Sequence, residues 1–186
     1  AQIGKDGYTS PIWDPAKINN ELDKMVFVKN KGDYDAYVRS VFAFEAGSDW
    51  DFTEFQKKVH LNINTDTDVV VWDWLETPVT IGEGTYFIAT ATYVDPLKAG
   101  QISDISLAQI ALDPSVTNED MAVLGDTYHV HVKSQGIQAD GFADAKTALN
   151  EGFNPIDTAN IPWTSDQPVQ GTSLANALRF YQGDLT

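Results

Sequence analysis

Apolar positions alternate with polar ones along most of the chain, and helical spacing appears only in short stretches. Residues 1–23 are polar and interrupted by Gly4, Gly7, Pro11 and Pro15, with Ile3, Tyr8, Ile12 and Trp13 as the only anchors, so they read as an arm with at most one short strand. Lys24–Lys29 reads as a strand with lysines as edge charges. Asn30-Lys31-Gly32-Asp33 supplies turn chemistry. Tyr37–Glu45 is a longer strand: Val38, Ser40, Phe42 and Phe44 share one face, and Tyr37, Arg39, Val41 and Ala43 share the other. Both faces are largely apolar, which predicts a strand covered on both sides.

Phe52, Phe55 and Val59 fall at helical spacing after Asp51 and predict a short helix. Leu61 and Ile63, Val69–Trp74, Val79–Ile81, Thr85–Val94 and Ile105–Leu112 predict further strands. Trp72 and Trp74 share a strand face and predict half of a buried layer. Thr117 is a candidate N-cap for a one- to two-turn helix that stops at Gly125. Thr127–Gln138 alternates clearly, with Tyr128, Val130 and Val132 on one side and Thr127, His129, His131 and Lys133 on the other. Asp140-Gly141 is read as the cap of a helix carrying Phe142, Ala145, Ala148 and Leu149 and ending near Gly152. Residues 155–171 read as loop, and a last helix is expected over 172–182. Roughly seven or eight strands with short helices in the connections make an all-β sandwich the expected architecture. The expected organisation is an arm at 1–23, a sandwich domain at 24–165 and a helical extension at 166–186.

The chain has 186 residues, 27 acidic and 12 basic, for a net charge of −15, and 42 % of its residues are apolar. That length suits one domain with its own core. The charge excludes phosphate-backbone binding as a reasonable reading and argues against docking on anionic membrane. No run of about 18 apolar residues is present to span a bilayer. No secretory leader begins at Ala1, so the chain is expected to be cytosolic or the mature form of an exported protein. Cysteine is absent, which removes thiol catalysis, zinc-thiolate sites and disulfides.

The candidate chemistry is sparse. His129 and His131 stand at i, i+2 on a strand, so both point to one side and could share a zinc ion with a third ligand from His60 or a carboxylate. The alternative is two histidines on a wet strand face. Asn64, Asp66 and Asp68 resemble the start of a calcium loop. An EF-hand is excluded, because its sixth and twelfth positions hold Val69 and Leu75. A looser calcium site and a solvated turn both remain open there. Asp49, Asp51 and Glu54 around Trp50 form an acid-aromatic cluster with no second carboxylate pair placed by spacing. No serine-nucleophile or phosphate-binding glycine pattern occurs. No residue set supports a catalytic assignment, and calcium is the one cofactor left open.

Several stretches then fall in a telling order. Val26-Phe27-Val28-Lys29-Asn30-Lys31-Gly32 is followed by Asp35-Ala36-Tyr37-Val38-Arg39, then by Gly125-Asp126-Thr127-Tyr128, Gln135 through Phe142, Ala148-Leu149, Phe153 and Pro162-Trp163. Over residues 24 to 163 this resembles the exported proteins of Gram-positive bacteria that carry the alternate, SipW-type signal peptide, the group of the biofilm-matrix protein TasA and of camelysin. The resemblance implies a jelly-roll β-sandwich outside the cell, with TasA-like members joining copies by donating an N-terminal strand. It implies a homopolymer, with other matrix or surface proteins as further partners, and places assembly contacts on Ile3, Tyr8, Ile12 and Trp13. The chain departs from the pattern in its short, glycine-containing residues 1–12 and in its continuation past Trp163. The competing readings are a monomeric surface or adhesion module of a larger protein and a metal-dependent peptidase of the camelysin kind, for which no ligand motif is present.

Overall fold

A computed structural model of the chain describes residues 21–125 and 127–163, with side chains from Met25 onward. It contains seven strands and three short helices: β1 (Glu21–Val26), β2 (Ala36–Ala46), α1 (Phe52–Lys58), β3 (Val59–Ile63), β4 (Val70–Ile81), β5 (Gly84–Tyr93), β6 (Leu107–Leu112), α2 (Asn118–Leu124), β7 (Val130–Gln138) and α3 (Ala145–Phe153). All pairings are antiparallel. One sheet has the order β1-β6-β3 and the other β4-β5-β2-β7. Only the β4–β5 connection stays within a sheet; every other step between consecutive strands crosses to the opposite one. The fold is therefore an all-β sandwich whose chain alternates between layers in a jelly-roll-like way.

The two sheets close on an aromatic core. Phe42 and Phe44 project from β2 and are fully buried. Trp72 lies 5.1 Å from Phe42, and Trp74 lies 5.5 Å from Phe44, so the tryptophan pair on β4 does form part of a buried layer. Phe55 of α1 stands 4.8 Å from Phe87 of β5. Opposite them the three-stranded sheet contributes Val26, Val59, Leu107 and Ile110. α1 begins where Asp51 accepts the Glu54 backbone N–H at 2.7 Å, which satisfies one of the donors that a helix start leaves unpaired.

The outer face of the four-stranded sheet is covered as well. Tyr37 packs beneath α3 with Ala145, Ala148 and Leu149. Val41, Ala43, Val79, Ile81, Tyr86 and Ile88 pack beneath the segment holding Ile156, Ile161 and Trp163. This explains why β2 is apolar on both faces. Between the two outer clusters lies Arg39, only 3 % exposed.

Several boundaries differ from those expected. β1 covers Glu21–Val26 rather than Lys24–Lys29; past it the chain holds to the 101–103 segment through a Lys29–Ile102 bridge and bonds of Val28 to Ser103 and Asn30 to Gln101. Val70–Leu75 and Val79–Ile81 are one strand, because Glu76, Thr77 and Pro78 form a bulge opposite Phe87. A bulge is where a proline without an N–H costs a sheet least. β7 begins at Val130 rather than Thr127. There the Glu45 carboxylate accepts the His129 N–H at 2.7 Å, and the Glu45 carbonyl accepts the Tyr128 hydroxyl at 2.7 Å, so side chains replace the ladder. α3 starts after Asp144, whose carboxylate accepts the Thr147 N–H at 2.8 Å, while Gly141 at φ +90° makes the preceding turn. α2 matches expectation: Thr117 and Asp120 form a reciprocal capping box, and Gly125 closes the helix at φ 81°. The expected arm, with Ile3, Tyr8, Ile12 and Trp13, and the expected helix over 172–182 lie outside the described residues.

Candidate functional site: an open strand edge and its groove

β7 is the outermost strand of its sheet among the described residues. Its backbone directions follow from the ladder. The Glu45 N–H donates to the His129 carbonyl, and the Ala139 N–H donates to the Asp35 carbonyl, so odd-numbered residues face β2. By the antiparallel alternation, Val130, Val132, Ser134, Gly136 and Gln138 turn their N–H and C=O groups away from β2. The same five positions lie on the inner face, with side chains on all but Gly136. Val130 and Val132 pack on the core there, and the Ser134 hydroxyl lies 3.3 Å from that of Ser40. Yet Ser134, Gly136 and Gln138 are exposed. An inward position that remains wet marks a place where the sandwich is not closed.

The opening is a groove of about 330 Å³ between residues 134–138 of β7 and the segment Val28–Tyr34. Asn30 fixes that far wall. Its side-chain N–H groups donate to the carbonyls of Tyr34 at 2.7 Å and Leu97 at 2.9 Å, and its Oδ1 accepts the Gly32 N–H at 2.9 Å. These bonds explain why the Asn30-Lys31-Gly32 turn chemistry sits here. Tyr34, at the end of this wall, is 67 % exposed, a large aromatic surface in a position to meet a partner.

The two metal candidates are local arrangements. Asn64, Asp66 and Asp68 lie in one turn. Asn64 Oδ1 accepts the Asp66 N–H at 3.0 Å, and Asp66 Oδ1 accepts the Asp68 N–H at 3.1 Å. The Asn64 carbonyl accepts the Trp72 indole N–H at 3.1 Å, which ties the turn to the core. His129 and His131 are brought together with their rings 6.1 Å apart and 12° from parallel. His129 Nδ1 is 2.9 Å from the Glu45 carboxylate, and His131 Nε2 is 3.4 Å from the Tyr86 hydroxyl. His60 pairs with Asp113 at 2.8 Å instead of joining them. Among the described residues no three His, Cys, Asp or Glu side chains form a group able to hold a metal ion.

The acids around Trp50 join elements of the fold. Asp120 receives the Lys58 ammonium at 2.7 Å and the Trp50 indole N–H at 3.2 Å. It also accepts the Thr117 backbone N–H at 2.7 Å. Hydrogen bonding to Lys58, then to Thr117, holds the Asp120 carboxyl far below the usual carboxylate range. Lys58 is raised by the same contact with Asp120. Asp113 is lowered to about 2, chiefly by its hydrogen bond to His60 and then by Ser115. Burial raises the Tyr128 hydroxyl well above its ordinary value, and the nearby Glu45 adds to this.

Sequence reasoning expected contacts in the arm and did not single out β7. The signal lay in the inner-face positions, where Ser134, Gly136 and Gln138 interrupt the apolar series begun by Val130 and Val132. No helix among the described residues is long and apolar enough to cross a membrane. Comparison of the chain with protein-family models, curated proteins and solved structures finds no match.

Proposed function

We propose that the chain is a secreted structural subunit of an extracellular fibre or biofilm matrix at the cell surface, its copies joined by a strand that one copy adds to the β7 edge of the next. The observation that carries this reading is the groove beside β7, where outward backbone groups adjoin exposed inner-face residues. A strand laid there would pair those groups and cover Ser134, Gly136 and Gln138. Repetition of such a heterologous contact gives an open polymer when the rotation does not close. The donor on this reading is the arm bearing Ile3, Tyr8, Ile12 and Trp13. The net charge of −15 supports the same reading, because it keeps an open-edged subunit soluble until the specific pairing forms.

The test is negative-stain electron microscopy of the purified chain over a concentration and salt series, with and without residues 1–13. Regular filaments that vanish on removal of residues 1–13 are the expected result. Filaments that persist without them would reject strand donation by the arm. Dispersed single-copy particles under every condition would favour the display or adhesion module instead.

A further inference from the structure

Arg39 is a buried cation whose partners among the described residues are all neutral. Its Nε–H donates to Gln135 Oε1 at 2.6 Å, one Nη to Asn150 Oδ1 at 2.9 Å and the other to the Asn154 carbonyl at 2.8 Å. A guanidinium carries five N–H groups, so these bonds leave two donors over. Among the described residues no carboxylate pairs with it; the nearby Asp73 is engaged by Lys146 at 3.6 Å. A guanidinium stays ionised, and an ionised group taken out of water is costly unless an opposite charge meets it. The carbonyl at the end of α3 offsets part of that cost through the helix dipole. It brings no full negative charge.

Arg39 also lines a cavity of about 250 Å³ between α3 and the outer face of the four-stranded sheet. Thr90, Thr92 and Asn150 bring hydroxyl and amide groups to it, and Lys146 and Asp73 stand on its wall. The cavity lies at the seam between the two outer apolar clusters, where the register places Thr92 directly beside Arg39. Burial of Arg39 to 3 % exposure, neutral partners and an adjoining polar cavity coincide in one place.

The geometry points to a binding site for a small hydroxycarboxylate of the sugar-acid class, its carboxylate on Arg39 and its hydroxyls on Thr90, Thr92, Asn150 and Asp73. A single carboxylate matches in charge the two donors left over on Arg39. A phosphate or sulfate would bring more negative charge against Asp73, and a neutral sugar would leave Arg39 without a counter-charge. The acid group could belong to a monosaccharide or to the terminal unit of an acidic glycan.

The experiment is a titration of the full chain, followed by calorimetry and by NMR shifts of the Arg39 Nε–H and the Thr90 and Thr92 amides. The probes are glucuronate, an oligouronide, glucose and inorganic phosphate. Saturable binding of glucuronate or the oligouronide, with shifts at these groups, is expected; glucose and phosphate should bind at least about tenfold more weakly. Comparing the two uronates tells a free sugar acid from a glycan terminus. Thr92→Val keeps the shape of a half-buried strand residue and should weaken uronate binding about tenfold without lowering Tm. Arg39→Lys keeps the charge and loses the fork, so it should weaken binding as well. Absence of saturable shifts with either uronate, equal binding of phosphate or glucose, or Thr92→Val binding like the parent chain would each overturn the assignment.

Discussion

The two edges of the four-stranded sheet are built differently. β4 runs Val70–Ile81 and is broken by the bulge at Glu76, Thr77 and Pro78. It also carries Asp73, whose side chain is more than half exposed. A bulge, a proline and charges are the devices by which sheets keep foreign strands from pairing. β7 has neither a bulge nor a proline along Val130–Gln138: its register with β2 runs without a shift from Ala36–Gln138 to Phe44–Val130. Its only lysine, Lys133, is drawn over the outer face to the Pro162 carbonyl at 2.8 Å. One edge is guarded and the other is left regular beside a groove. On the proposed reading, the difference would direct an added strand to β7 rather than to β4.

Phe44→Ala should have the largest effect and bears on both edges alike. Phe44 is fully buried against Trp74 and Phe55, so its loss should lower monomer stability by about 3–5 kcal/mol in denaturant unfolding. Assembly lost in this variant says nothing about either edge, so it serves as the control for the others. Ser134→Pro should separate the edges. The Ser134 N–H points away from β2, so proline there spares the β2–β7 ladder and removes a donor from the outer side. The critical concentration for assembly should rise about a hundredfold while the monomer's Tm moves little. Assembly at the parental concentration would place the contact elsewhere.

Acid should act on the fold rather than on the edge. An unfolded aspartate takes its proton near pH 4. In the folded chain Asp113 resists protonation down to about 2, and Asp120 resists further. Below pH 4 the unfolded chain therefore binds more protons, and stability should fall as pH drops through that window. Asp120→Ala should cost about 1–2 kcal/mol at pH 7, through the lost acceptor for the Thr117 N–H in the capping box and the lost Lys58 and Trp50 bonds. It should also flatten the acid slope; an unchanged slope in thermal melts from pH 5 to pH 2 would contradict the role given to this carboxylate. Salt should have the smallest effect. Subunits with a net charge of −15 repel each other over about 10 Å at 0.1 M salt, so added salt should favour assembly, as sedimentation would record.

Much of the fold was legible because local signals and burial agree. The apolar faces of Tyr37–Glu45 predicted a covered strand, and β2 is covered on both sides. Thr117 and Gly125 predicted both ends of α2. Asp51 before Phe52 and Phe55 predicted α1. The misses come from partners remote in sequence. β7 starts late because Glu45, a residue of β2, captures the His129 N–H. The two segments of β4 join because β5 supplies a continuous partner across the bulge. The site was less legible than the fold. His129 and His131 do stand together, but what surrounds them depends on Glu45 and Tyr86, which no spacing rule connects. Arg39 could have been noticed as the one basic residue in a strand largely apolar on both faces. The pattern did not say whether it was an edge charge or a buried one.

The most direct measurement is residue-level amide hydrogen exchange of the chain before and after assembly. Val130, Val132, Ser134, Gly136 and Gln138 are the β7 residues whose N–H groups turn outward. The account predicts that these five amides exchange readily in the chain lacking residues 1–13 and become strongly protected in filaments of the full chain, while the amides of β4 change little. Protection that appears along β4, or filaments in which these five amides still exchange readily, would contradict it.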